Sequence, residues 1–137
     1  MRTETAPAIT VRIAHVALWT PDIDRSAEFW QRHFGAEVGP LYHSARRPGF
    51  TSRFLKLAGG AELELMAAPW VEREGYAEER HGWAHVAVSV GSEEQVRALA
   101  ARLEGEGLLV SAPRMTGDGY YEAVVRDPDG NFVEITS

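Results

Sequence analysis

Two segments of this chain repeat each other without a gap. His15 and Glu64 stand 49 positions apart, His85 and Glu134 keep the same interval, and the copies are offset by 70. The flanking residues repeat too: Ala14-His15-Val16-Ala17 returns as Ala84-His85-Val86-Ala87, and Leu63-Glu64-Leu65 as Val133-Glu134-Ile135. Gly35, Gly49 and Gly60 fall on Gly105, Gly119 and Gly130 under the same shift. A duplication that keeps two imidazoles and two carboxylates points to two half-sites that meet in space. Two His and two Glu form a ligand set for a first-row transition metal.

The 137 residues suffice for one domain with a real core. At 45% hydrophobic and 25% charged, the chain reads as globular, and it has no apolar run long enough to span a membrane. The net charge of −6 argues against a nucleic-acid groove, which needs a basic footprint. Cysteine is absent, which removes disulfides, thiolate ligands and a thiol nucleophile together. Residues 1–8 read as a loose tail without an export signal, so the expected location is cytoplasmic.

Each half reads as strand, helix, then three strands. In the first, 9–19 alternates and is β-rich, and Pro21-Asp22 stops it. A helical stripe follows at Ile23, Ala27, Trp30 and Phe34, capped by Asp22 or Asp24 and ended by Gly35. Strands are expected at about 37–42, 51–57 and 61–66, with Gly59-Gly60 as a hairpin turn. In the second half a strand is expected at 83–90. Ser92-Glu93-Glu94-Gln95 then makes a capping box ahead of the stripe Val96, Leu99, Ala100 and Leu103. Strands follow at about 108–115, 120–126 and 131–136, and Asp127-Pro128-Asp129-Gly130 is a turn. Module one therefore covers about 9–68, a charged linker 69–82, and module two about 83–137.

Side chains alternate faces along a strand. His15 shares a face with Ala17 and Trp19, away from Val16 and Leu18. Likewise His85 shares a face with Trp83, Glu64 with Glu62 and Met66, and Glu134 with Phe132. One face of each sheet is aliphatic and can take the amphipathic helix; the other holds the candidate ligands. Two such curved sheets would enclose a cavity with all four groups inside. Glu62 is an alternative ligand to Glu64, but the shift by 70 places Glu62 on Phe132 and Glu64 on Glu134. His33, His43 and His81 read as solvated. Trp19, Met66, Trp83, Tyr120, Tyr121 and Phe132 are candidates to line a substrate pocket. Arg46, Arg47 and Arg53 form a local basic cluster that reads first as a solvated loop.

These motifs, in this order and spacing, resemble the vicinal oxygen chelate superfamily of glyoxalase I, bleomycin and fosfomycin resistance proteins, epimerases and extradiol dioxygenases. The carriers are Ile13-Ala14-His15-Val16-Ala17, Phe29-Trp30 through Phe34-Gly35, and Leu63-Glu64-Leu65-Met66 in the first half. Gly82-Trp83-Ala84-His85-Val86-Ala87 and Arg126-Asp127-Pro128-Asp129-Gly130-Asn131-Phe132-Val133-Glu134-Ile135 carry it in the second. The resemblance covers about 9–136. It implies an α+β fold of two tandem βαβββ modules, with curved mixed sheets around a metal-containing cavity. It also implies a homodimer whose sites are shared between subunits. In bacterial glyoxalase I the ligands are His, Glu, His and Glu, matched here by His15, Glu64, His85 and Glu134. That enzyme also carries an Arg four positions after its first His and an Asn four after its first Glu, which help hold glutathione. Trp19 and Ala68 occupy those positions. The resemblance thus implies the metal site without the glutathione clamp.

A divalent metal (Zn, Ni, Co, Mn or Fe) on this set would polarise a small substrate that chelates through adjacent oxygens. By resemblance Glu134 is the base, with Glu64 as its partner. The expected function is a glyoxalase-type lyase or isomerase. The competing readings are a dioxygenase or transferase using His15, His85 and Glu134, and a non-catalytic resistance-type binding protein.

Overall fold

Sheet order decides where the ligand candidates sit. In a computed structural model, which describes residues 13–72, 84–117 and 119–137, the chain forms two helices and nine strands. The expected strand starts at 9–12 and 83, the tail, most of the linker, His81 and Trp83 lie outside the described residues. Module one runs β1 (His15–Trp19), α1 (Ile23–Phe34), β2 (Glu37–Val38), β3 (Tyr42–His43), β4 (Thr51–Lys56) and β5 (Glu62–Ala67). Module two runs β6 (Val86–Ser89), α2 (Glu93–Gly105), β7 (Leu109–Met115), β8 (Tyr121–Arg126) and β9 (Phe132–Thr136).

Each module makes its own mixed sheet. The orders are β1-β5-β4-β2, with β3 also on β4, and β6-β9-β8-β7. The first and last strands of each module pair in parallel and all other pairs are antiparallel. The registers repeat with the sequence: Ala17 lies opposite Glu64, and Ala87 opposite Glu134. The strand expected over 37–42 is divided into β2 and β3. Pro40 has no N–H to give a ladder. Gly39 donates to the Phe54 carbonyl, and a Cβ on Gly39 would stand 2.9 Å from that oxygen. The chain therefore leaves β4 after Val38 and returns as β3.

The helices form where the caps and stripes place them. Asp22 accepts from the Arg25 amide at 3.0 Å and Ser92 from the Gln95 amide at 3.1 Å, each satisfying a donor free at a helix start. Gly35 ends α1 with φ 66°, a conformation that favours glycine. Ile23, Ala27, Trp30, Val96, Leu99, Ala100 and Leu103 are buried against the aliphatic faces bearing Leu55, Leu63, Leu65, Ala123, Val125, Val133 and Ile135. Neither helix is long and apolar enough to cross a membrane.

The buried face of α1 is wider than its aliphatic stripe, because module two also packs against it. Phe29 and His33 are buried with it. His33 was expected in solvent; its side chain is only 2% exposed, with Nε2 3.1 Å from a Glu106 oxygen just past α2. Arg102 of α2 donates to the His33 carbonyl at 3.3 Å, and Arg32 stands 3.7 Å from Glu106. At the other end of α1, Arg25 pairs with Asp129 in the β8–β9 turn. The two modules are thus joined on their helix-bearing side.

Burial, the largest cause, holds the His33 pKa below its ordinary 6.5; Arg102 and Arg32 push the same way, while Glu106 opposes them. Nδ1 has no partner, so a second ring proton would be a buried, unsatisfied donor. With a depressed folded pKa, the unfolded chain takes up the proton more readily than the native one. Stability is full above 6.5 and falls as pH drops from there towards the lowered value. Urea midpoints measured from about pH 7.5 down to about pH 5.5 should decline in the wild type, and His33→Gln should flatten that decline.

Candidate metal centre

The parallel pairing of β1 with β5 and of β6 with β9 puts each His diagonal to its Glu, two residues before the strand partner of that Glu. Side chains two apart share a face, so the imidazole and carboxylate lean together across an alanine. Ala17 and Ala87 leave room above the sheet at that point. His15 Nε2 lies 3.6 Å from a Glu64 oxygen, and His85 Nε2 lies 3.0 Å from a Glu134 oxygen. The His side chains are 47% and 39% exposed, and the Glu side chains 17% and 20%. Glu62 stands directly opposite His15 in register, yet the ion pair is with Glu64.

All four candidate ligands therefore lie on the helix-free faces, two on each sheet. Within one chain they do not meet. Among the described residues no group of three or more His, Asp or Glu is placed to hold a metal ion. The tandem modules and their mixed sheets are those the sequence implied, with one His–Glu pair on each sheet. The modules join through their helices, and no strand of one sheet pairs with a strand of the other among the described residues.

The pocket candidates divide. Trp19 is 42% exposed on the His15 face, edge-on to Phe50 at 6.0 Å. Met66 lies opposite Ser52, two residues along the strand from Glu64. Phe132 lies on the Glu134 face under the Arg126 guanidinium, 4.6 Å from the ring centre. Tyr120 is exposed in the turn it closes with Thr116. Tyr121 is on the other side of its sheet, packed against the core with Arg97 of α2 over its ring. That side chain belongs to the α2 face and not to the ligand face.

A cavity of about 400 Å³ adjoins the first half-site and is lined by Pro40, Tyr42, Phe50, Ser52, Phe54 and Glu64. Sequence reasoning passed over its aromatic residues. Phe54 is the strand partner of Glu64 and stands edge-on to the His15 ring at 5.3 Å. The alternation along β4, with Leu55 turned into the core, was the available signal. The basic cluster does not hold together. Arg53 turns to the helix side, donating to the Gly39 carbonyl and standing 3.6 Å from Asp24. Arg47 lies over Trp70 at 4.8 Å. Asp127 is buried, and its carboxylate accepts from the Asp129 and Asn131 amides and the Asn131 side chain, so it serves the turn.

Residues 12–135 match the model of the glyoxalase/bleomycin resistance protein/dioxygenase superfamily. An uncharacterized protein of Pseudomonas aeruginosa is 32% identical over 129 residues, covering 90% of this chain and 86% of that protein. A glyoxylase/bleomycin resistance protein/dioxygenase domain from Frankia superposes with a TM-score of 0.79 at 19% identity, covering 94% of this chain and 92% of its own. A glyoxalase family protein from Enterococcus faecalis gives 0.72 at 26% identity, with 91% and 96% covered. Glyoxalase I from Zea mays gives 0.69 at 21% identity; 91% of this chain matches only 44% of that longer one. With its duplicated sheets and this match over nearly its whole length, the chain belongs to the glyoxalase/bleomycin resistance protein/dioxygenase superfamily.

Proposed function

We propose that the protein is a divalent-metal-dependent lyase or isomerase of the glyoxalase type that acts as a homodimer on a small substrate with adjacent oxygens. Each metal centre takes His15 and Glu64 from one protomer and His85 and Glu134 from its partner. The observation that carries this reading is the repeated His–Glu pair, in the same register and on the helix-free face of both sheets. Neighbouring ligands on a metal with bonds of about 2.0–2.2 Å stand about 3.0 Å apart, so the spacing of the second pair fits directly and the first needs a small approach. Two copies related by a two-fold axis, module one of each on module two of the other, would close two equal centres.

The donor set suits Zn, Ni, Co, Mn or Fe(II), and when bound the metal supplies Lewis-acid polarisation of the substrate oxygens. Glu134 takes the proton from the carbon beside the carbonyl and returns it to the neighbouring position. His85 holds that carboxylate from one side. Glu64 faces the apolar cavity and flanks the substrate opposite Glu134. Trp19 and Ala68, at positions where glyoxalase I has its glutathione contacts, support a substrate that is not a glutathione adduct.

Elemental analysis of protein purified without chelator should find about one divalent metal per chain, lost in His15→Ala and in His85→Ala. Sedimentation should give a dimer; a monomer with its metal complete would sink the shared centre. The two variants also test sharing when mixed. A heterodimer of His15→Ala with His85→Ala has one centre with both changes and one with neither. Random exchange should therefore restore about a quarter of the wild-type metal content, whereas centres built within one chain would regain none.

A second reading has a specific observation behind it, since the His85–Glu134 pair is tighter than the His15–Glu64 pair. His15, His85 and Glu134 alone could then hold the metal of a dioxygenase or transferase. Deuterium wash-out from hydroxyacetone separates the two. Glu134→Gln should slow it by about 10²–10⁴, and Glu64→Gln should weaken metal retention. Full metal and full exchange in Glu64→Gln would favour the three-ligand site.

A further inference from the structure

We infer that the substrate of this site carries a compact aromatic body, seated in the cavity beside Glu64 against Tyr42, Phe50 and Phe54. The inference rests on the metal-centre reading for the chelating end and extends it to what lies behind that end.

The cavity of about 400 Å³ is at the lower end of the range for small-molecule sites, room for one ring and short substituents and not for a peptide. Its floor is β3, β4 and β5, where β4–β5 pairing sets Phe54 opposite Glu64 and β3–β4 pairing sets Tyr42 opposite Ser52. Three of the lining side chains are aromatic, and Glu64 is the only charged group in the wall among the described residues. A glutathione adduct would bring carboxylates that no cation in this wall meets. An uncharged ring finds apolar surface and the edges and faces of other rings, the arrangement aromatic groups favour.

The rings are also held from outside. His15 stands edge-on to Phe54 at 5.3 Å and Trp19 edge-on to Phe50 at 6.0 Å, so the wall is set before a ligand arrives. Tyr42 and Phe54 nevertheless remain 56% and 39% exposed, large apolar surface at the mouth of a chelating site. Because Glu64 belongs to both cavity and half-site, a molecule with its oxygens at the metal has its next substituent directed along β4.

The test compares two neutral hydroxyketones with one chelating head: 2-hydroxy-1-phenylethanone, with a phenyl group, and hydroxyacetone, with a methyl group. Calorimetric titration of the purified dimer should show the phenyl compound binding about tenfold or more tightly. In Phe54→Ala and, separately, in Tyr42→Ala that preference should shrink to about threefold or less, with the dimer retained by sedimentation. Repeating the titrations in EDTA separates this inference from the metal reading. If only the metal reading fails, EDTA changes neither affinity and the phenyl preference stands. Equal affinities, no measurable binding of the phenyl compound, or a preference untouched by both substitutions overturns the inference. So does dissociation to monomers in Phe54→Ala with the preference intact, which would make the rings a subunit contact.

Discussion

The parallel pairing of the first and last strand of each module is the constraint on which the rest depends. It brings residues 49 positions apart onto one face, at one diagonal step, twice. The period of two in a strand then separates functions with no further device. Val16, Leu18, Leu63 and Leu65 go to the helix, and His15, Ala17, Glu62 and Glu64 to the open side. A one-residue slip between β1 and β5 would place the His and the Glu on opposite faces and turn leucines to solvent. The aliphatic core and the ligand pair therefore enforce the same register, and the core sets the chemistry without touching it.

The joining of the modules has a consequence for the site. The helices carry polar links at both ends of α1: Arg25 to Asp129, and His33 and Arg32 to Glu106. Burying a histidine beside a carboxylate carries a desolvation cost. It is offset by direct bonding of Nε2 to Glu106 and by packing on Phe29, 5.2 Å between ring centres. With the helix sides engaged in each other, both His–Glu faces are left outward. Under the proposed shared centre, each face would carry half of the donor set and a single chain would be incomplete without a partner surface.

Much of this was legible in the sequence, for identifiable reasons. The duplication announced the modules, alternation announced the two faces, and Asp22, Ser92 and Gly35 announced the helix ends because their chemistry is local. What was not legible was non-local. Whether Phe54 falls opposite Glu64 depends on β4–β5 register, which a turn such as Gly59-Gly60 constrains but does not spell out. Tyr121 was misplaced because its parity reads only from a known starting face; Ala123 and Val125 show that face to be the helical one. His33 was given to solvent because a helix seen alone has one buried stripe, and the second contact comes from the other module. Pro40 was passed over in an otherwise β-rich run.

The donor set and the cavity also differ in how far a change in one disturbs the other. The candidate ligands sit on β1, β5 and β9 and, for His85, immediately before β6, beside strands the core pins. Tyr42 and Phe50 sit on a two-residue strand and a loop that follow the break at Gly39-Pro40, where side chains can change without moving a ligand. Trp19 lies between these regions, at the end of β1 with its ring on Phe50. A cation there would have offered charge to an anionic substrate at the edge of the centre. An indole offers a flat apolar surface, and it props the one ring of the cavity wall that has no strand to hold it. A change of the side chain at position 19, on a pinned strand, would alter the character of the neighbouring loop pocket while leaving the His–Glu spacing untouched. On this fold, specificity can drift through residues 40–54 as long as β1 and β5 keep their register.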